Sequence, residues 1–305
     1  MATDSRPRPW LAALLAVLNH GLGHVYAGRP LAGAVLYALS LAIVSAVSFA
    51  LRAGFAFGVL AIVVALGFWM GQALLAARAA RDAPPATRRW FSRPLALVAF
   101  WVAAAVISST VASSLRASVV ETVYQPSSSM DPTVRAGDYL VVARGVPREL
   151  GGAIVVHEAP PVSPRRDPLL KRIVAVAGDT VELRDGHLVV NGAPVERERV
   201  PGPCTHSMRP EGDAWRDQPC LEFVERLGTR SYHTYCTPNL PCGDVAAVRV
   251  PEGHVWVAGD YRDHSADSRV YGPLPEQMVR GEVRYVFASW GATGMRWERL
   301  GLLLR

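Results

Sequence analysis

Two features far apart in this sequence have the residue types needed to attack a carbonyl together. One is the run of three serines, Ser127 to Ser129, in QPSSSMDPTVRAGD, a kind of run that by itself is more often a solvated turn; the other is Lys171, the single lysine among 32 Lys and Arg residues. A serine hydroxyl is a weak nucleophile until a neighbouring base takes its proton, and a lysine is that base only when its amine is neutral. Arginine stays protonated in proteins, whereas a buried ammonium can lose its proton. A solitary lysine among arginines therefore points either to a position where neutrality is required or to drift in an arginine-biased sequence that spared one surface position, and its neighbours must decide. Lowering a lysine from about 10.4 to about 8 takes roughly 3 kcal/mol of differential environment, which burial can supply.

The segment around the lysine, LLKRIVAVAGD, reads as a strand. With a period of two, Leu169, Lys171, Ile173 and Ala175 share one face, and Leu170, Arg172, Val174 and Val176 the other, so the amine stands in an apolar row. The competing reading is a lysine at a sheet edge whose amine reaches water. From Val134 onward similar runs recur, among them DYLVVAR, AIVVHEA, TVELRDGHLVVNG, HVWVAGD and VRYVFASW, bounded by Gly, Pro, Asp and Asn. Asp185-Gly186 and Asn191-Gly192 read as hairpin turns, which predicts a mostly antiparallel sheet. PVSPRRDP and the stretch from Pro201 to Cys242 read as loop-rich insertions, the latter with one strand-like run near LEFVERLGTRSYHTY.

The first part of the chain has a different character. Residues 1–114 contain only two carboxylates, Asp4 and Asp82, and three uncharged stretches: Leu31 to Leu51, Ala53 to Ala77 and Leu95 to Leu115. Each is long enough to cross the roughly 30 Å hydrocarbon layer as a helix. A fourth stretch from Trp10 is shorter and broken by Asn19, His20 and His24, which favours a re-entrant or interfacial hairpin over a cleaved leader. The loop RAARDAPPATRRWFSR holds Arg78, Arg81, Arg88, Arg89 and Arg93 against one Asp, which marks it as cytoplasmic and sends everything after Leu115 outside. The fold expected is an α-helical membrane region of three or four apolar segments over 1–115, then a mostly antiparallel all-β domain over 116–305. The net charge of +6 needs no nucleic acid to explain it.

All four cysteines, Cys204, Cys220, Cys236 and Cys242, fall in the external part, where disulfides persist. Local pairs, Cys204 with Cys220 and Cys236 with Cys242, are the preferred connectivity, although the sequence leaves the other two open. A zinc site recruiting His206 and His233 is the alternative, but the spacing fits no common ligand pattern.

Four ordered blocks carry a family resemblance. They are Pro126 to Met130 with Pro132-Thr133 and Gly137-Asp138; Gly152 to Val156; Lys171-Arg172 with Gly178-Asp179; and GDYRDHSADSR from Gly259 to Arg269. Together they resemble the bacterial type I signal peptidases, membrane-bound serine endopeptidases that remove signal peptides from exported preproteins. The resemblance implies Ser129 as nucleophile and Lys171 as general base, with the Ser127 hydroxyl and the Ser129 backbone N–H holding the oxyanion. It implies that Ser265 orients the lysine amine, that Asp267 and Arg269 form one structural ion pair, and that Arg172 and Asp260 form another. It implies no cofactor and no metal, signal peptides cut after small residues in an A-x-A-like pattern, and a protein of the bacterial inner membrane with its catalytic domain outside; the three or four apolar segments make this chain multi-pass, more than the one or two spans the family leads one to expect. The oligomeric state is not readable. Tyr261 and His264 stand where the family usually has asparagine, so the hydrogen bonding of that loop should differ.

About 14 residues separate Leu115 from Ser129, a tether under roughly 50 Å even when extended, so the serine is expected near the outer membrane boundary. Three rival readings are a Ser-His-Asp site built on His264, Ser265, Asp263 and Asp267, a self-cleaving regulator, and a multi-span scaffold or sensor with an inactive peptidase-like domain. Contiguous residues on one loop seldom converge as a triad. The intact serine, lysine and final block argue against decay.

Overall fold

Proline opens three of the amino-terminal helices, at a first-turn position where its missing N–H breaks no hydrogen bond. These and the helices between them are α1 (Pro9–Leu18), α2 (Leu22–Tyr26), α3 (Pro30–Ala53), α4 (Phe55–Arg81) and α5 (Pro94–Ser118). The computed structural model describes residues 6–84, 91, 93–147, 149–162, 167–184, 186–208 and 214–304. Asp4, Arg88, Arg89, Asp185 and residues 163–166 of PVSPRRDP, used in the sequence argument, lie outside them. The chain separates into two units, Met1–Val120 and Glu121–Arg305.

Helices α3, α4 and α5 have 24, 27 and 25 residues and are long and apolar enough to cross a membrane. Helix α1 has 10 residues, which at about 1.5 Å each reaches roughly half the hydrocarbon thickness. Its alanines Ala12 and Ala16 pack with Ala27 and with Ala76, Ala79 and Ala80 of α4. Small side chains let the helices approach closely where no hydrophobic drive separates protein from lipid. His20 stacks on Trp69 of α4 at a centroid distance of 5.0 Å. Helix α5 continues three residues beyond Leu115 because the polar run Arg116-Ala117-Ser118 still forms helix.

The second unit is built on an eight-stranded sheet. Its main path runs Val120–Tyr124, Asp138–Arg144, Val279–Gly291, Ile154–His157, Leu169–Val176, His254–Ala258 and Leu274–Pro275. The ladders from Asp138–Arg144 through Leu274–Pro275 are antiparallel. The lysine strand is internal, with Ile154 opposite Arg172 and Val155 opposite Lys171. Its alternation holds through Ile173 and then fails. Val257 faces Ile173 but Trp256 faces Ala175, a slip of one residue in the ladder. As a result Ala175 packs with Val174 and Trp256, while Ile173 stays with Val155 and Val257. The row predicted to carry Ala175 beside Lys171 thus ends at Ile173.

A smaller sheet orders Val245–Arg249, Thr180–Arg184, His187–Val190 and Ala193–Pro194. Asn191 and Gly192, both at positive φ, turn its last hairpin. The segment read as loop-rich is largely strand. Cys204–Met208, Arg216–Leu227 and Arg230–Cys236 form antiparallel ladders, and Glu196–Arg199 joins them. Of the 12-residue strand Arg216–Leu227 the second half, LEFVERL, reads as strand-like in the sequence, whereas the first half, RDQPC, is polar, holds a proline and shows no hydrophobic alternation.

Gly137 closes the serine-bearing loop at φ 94°, and a Cβ there would collide with the Trp290 carbonyl. Gly137→Ala combines left-handed strain with that collision. It is expected to destabilise the second unit by about 2 kcal/mol or more, seen as a lowered thermal midpoint in near-UV circular dichroism.

Candidate active site

The loop that carries Ser129 is pinned at its base. Gln125 N–H donates to the Asp138 carbonyl at 2.9 Å and Gly137 N–H to the Gln125 carbonyl at 2.8 Å. Inside the loop Met130 and Val134, both fully buried, anchor it in the main hydrophobic core. The Gln125 amide donates to the Ser127 carbonyl at 2.7 Å and to the Ser127 hydroxyl at 3.1 Å. Ser127 Oγ is 3.3 Å from Ser129 Oγ.

Lys171 reaches this loop from the internal strand. Its Nζ lies 3.0 Å from Ser129 Oγ and 2.9 Å from the Leu170 carbonyl oxygen. The residue is 3% exposed, which excludes the edge lysine reaching to water. A cleft of about 280 Å³ opens over Ser129 and Lys171, bordered by Ser127, Leu169, His264 and Ala266.

The loop after His254–Ala258 holds the serine loop from the other side. Gly259 packs directly on Ser265 and on the Ser129 carbonyl, where a Cβ would clash with both. Tyr261 N–H donates to the Ser129 carbonyl at 3.2 Å. Arg172 forks onto Asp260 with Nε–Oδ1 2.8 Å and Nη2–Oδ2 2.7 Å, and its Nη1 donates to the Gly152 carbonyl at 2.8 Å. Arg269 pairs with Asp267 at 2.7 and 2.8 Å, and Gly259 N–H adds a third bond to that carboxylate at 2.8 Å. Burial works against ionising Asp267, but Arg269 and the Gly259 amide outweigh it and hold the carboxyl below its usual range. Ser265 Oγ is buried without a hydrogen-bond partner, so the contact to the amine that the resemblance assigns it is absent here. The Leu170 carbonyl accepts from Nζ in its place.

The residues of the rival triad do not assemble. His264 is exposed and meets the Tyr261 ring at a tilt, 4.5 Å between centroids, Asp263 accepts from Thr237 N–H at 2.9 Å, and Asp267 is committed to Arg269. Cys204 is bonded to Cys220 and Cys236 to Cys242. The thiols are thereby removed from any zinc site. His233 instead contacts Glu222 at 2.7 Å.

Several buried residues of the site escaped sequence reasoning. Glu225, at 0% exposure, receives Arg262, Tyr232 and Thr234. The Arg172 guanidinium lies 3.9 Å over the Tyr232 ring. Asp138 takes Arg299 through Nε at 3.0 Å and Nη2 at 2.6 Å. Asp131 meets His206, and burial pushes its carboxyl up against the pull of that contact. Tyr261, the departure noted in the sequence, was the one available signal.

A serine hydroxyl beside a buried lysine amine, in an antiparallel β unit that follows apolar helices in the chain, defines a class that comparison with known proteins names. Residues 98–290 match the family model for signal peptidase, peptidase S26, and the chain belongs to this family. A probable signal peptidase I-1 from Synechocystis is 31% identical over 200 residues, covering 62% of this chain and 83% of that one. A signal peptidase I from Bacillus licheniformis is 30% identical over 192 residues, covering 61% and 87%. Thylakoidal processing peptidase 1 of Arabidopsis thaliana is 30% identical over 66% of this chain, which spans 51% of its length. The solved signal peptidase I of Enterococcus faecalis aligns with 45% of this chain and 98% of its own at 22% identity, with a TM-score of 0.26.

Two outcomes follow from the buried charges. Asp260→Ala strands the Arg172 guanidinium and is expected to lower stability by about 3–5 kcal/mol in denaturant melts, whereas Arg172→Met with Asp260→Leu recovers part of that loss. The fully buried His157 donates through Nδ1 to the Glu158 carbonyl at 2.7 Å and contacts the Tyr271 hydroxyl through Nε2 at 3.2 Å. Burial holds its pKa down to about 4. The unfolded chain takes up this proton first, so stability is lost as pH falls from about 6.5 towards 4, by about 3 kcal/mol in all. His157→Gln should shrink the drop in thermal midpoint between pH 7 and pH 4.5.

Proposed function

We propose that this chain is a membrane-bound serine endopeptidase that removes signal peptides from exported preproteins, with Ser129 as nucleophile and Lys171 as general base. The observation that carries the reading is the 3.0 Å separation of Lys171 Nζ from Ser129 Oγ in the protein interior. Family membership supports the serine-peptidase class and the substrate class.

Ser129 Oγ attacks the scissile carbonyl carbon as its proton passes to Nζ. The Ser129 N–H and the Ser127 hydroxyl, the latter held by Gln125, receive the developing oxyanion. The C–N bond then breaks, Nζ returns the proton to the leaving amine, and an acyl-serine remains. Water attacks that ester with Nζ again as base, which frees the mature protein's partner fragment and restores the serine. The Leu170 carbonyl, 2.9 Å from Nζ, accepts from the ammonium formed in between. The ion pairs Arg172–Asp260 and Asp267–Arg269 brace the loops that flank the serine.

Substrates enter the cleft beside Ser127 and Leu169 and are cut after small side chains in an A-x-A-like pattern. Three apolar helices anchor the protein in a lipid bilayer. The arginines at 78, 81 and 93 and the two disulfides favour a bacterial inner membrane with the peptidase unit on its extracytoplasmic side.

Detergent-solubilised wild type, Ser129→Ala and Lys171→Arg, each incubated with one preprotein, test the reading. Both variants should lose about 10³-fold or more in kcat/KM, since each removes a member of a two-residue unit. Cleavage by either variant at a rate near wild type would overturn the assignment.

A further inference from the structure

The strand Cys204–Met208 carries His206 into the interior, where it meets both loops that hold Ser129. His206 Nδ1 is 3.2 Å from Asp131 Oδ2, and its Nε2 is 3.1 Å from the Tyr261 hydroxyl. That hydroxyl lies a further 3.0 Å from Thr237 Oγ1. Asp131, His206 and Tyr261 are 3%, 8% and 1% exposed. Both ends of this chain of contacts finish on the serine loop: Asp131 is two residues beyond Ser129, and Tyr261 N–H donates to the Ser129 carbonyl at 3.2 Å.

The element that supplies the histidine is braced covalently. Cys204, two residues before His206, is bonded to Cys220, and Cys236, directly before Thr237, is bonded to Cys242. The first pair packs against Tyr235 and Tyr261. The His206 ring meets Tyr261 edge-on at 4.9 Å and leans on Tyr235 at 5.5 Å. An imidazole engaged at both nitrogens and between two rings has little freedom to move.

Fastening this segment to the sheet does not require those contacts. Glu225 with Arg262, and Tyr232 under Arg172, already join the strands Arg216–Leu227 and Arg230–Cys236 to the catalytic loops. The His206 chain adds something different, a rigid stop against the turn that presents the serine.

We infer that the disulfide-braced strand Cys204–Met208 is a positioning element for the serine site, in which His206 holds Asp131 and Tyr261 and through them sets Ser129 against Lys171. The inference rests on Ser129 and Lys171 being the reacting pair. His206, Asp131 and Tyr261 touch no reacting atom and act through the backbone of the serine loop.

The test measures kcat and KM separately, on the full chain in detergent with one preprotein. It uses His206→Ala, His206→Gln, Tyr261→Phe and the pair His206→Ala/Tyr261→Phe, with Ser129→Ala as reference. His206→Ala should lower kcat about tenfold to a hundredfold with KM within about twofold, as expected for misplacement of a bound nucleophile. His206→Gln, whose amide still offers a donor and an acceptor, should recover a large part of kcat. The double variant should lose little more than the worse single one, because both changes cut the same chain. A kcat within twofold of wild type for Tyr261→Phe and for each His206 variant that folds would overturn the inference, as would losses that multiply independently. Should His206→Ala fail to fold, His206→Gln and Tyr261→Phe decide the matter on their own: positioning requires that Tyr261→Phe lower kcat. An active Ser129→Ala would sink the nucleophile assignment instead, whereas an inactive Ser129→Ala beside an unchanged His206 series sinks the positioning role alone.

Discussion

Ser129 and Lys171 stand 42 residues apart in the chain and 3.0 Å apart in space, and only the lysine lies on a strand. The backbone ladder fixes one partner; the other depends on how its loop is pinned. Buried arginine forks do most of that pinning. Arg299 binds the Asp138 carboxylate and the Thr133 carbonyl, 2.9 Å from Nη2, at the far end of the loop. Arg172 binds Asp260 and extends towards the Thr133 hydroxyl at 3.4 Å. Because Lys171 and Arg172 are neighbours on one strand, their side chains leave by opposite faces. Lys171 and the brace of the serine loop are thus placed by the same two peptide units.

Desolvated charges are expensive unless paired with good geometry, and every buried arginine named here has its carboxylate. The network reaches well beyond the four sequence blocks. Glu225 belongs to the long strand Arg216–Leu227, and it receives Arg262 from the loop after Gly259. The strands Arg216–Leu227 and Arg230–Cys236 are accordingly built into the second unit and contribute buried charge to it.

The sequence was informative where the signal is local. Three uncharged runs gave three long helices, period-two alternation gave the sheet, and Asn191-Gly192 gave a hairpin. The solitary lysine marked one residue of the pair, but the choice of Ser129 within its serine run came from the four family blocks, and the fold brings the two together. Long-range polar pairing was legible only where the resemblance supplied it, as for Arg172 with Asp260. Glu225, Arg262 and Arg299 have the composition of surface residues, and only tertiary structure turns them inward. The ladder slip beside Ala175 likewise has no marker in the sequence, since it arises from the fit between two strands. Tyr261 stood out as a departure from a pattern, but its partner His206 could not be guessed.

The isolation of Lys171 has one more consequence, for how the molecule can be handled. An endoproteinase that cuts only after lysine has a single bond to attack, the one joining residues 171 and 172, and this bond is sealed between two hydrogen-bonded neighbours. Scission there must wait for the central sheet to part. The appearance of two fragments would consequently clock the opening of the innermost layer, without a label or an introduced site.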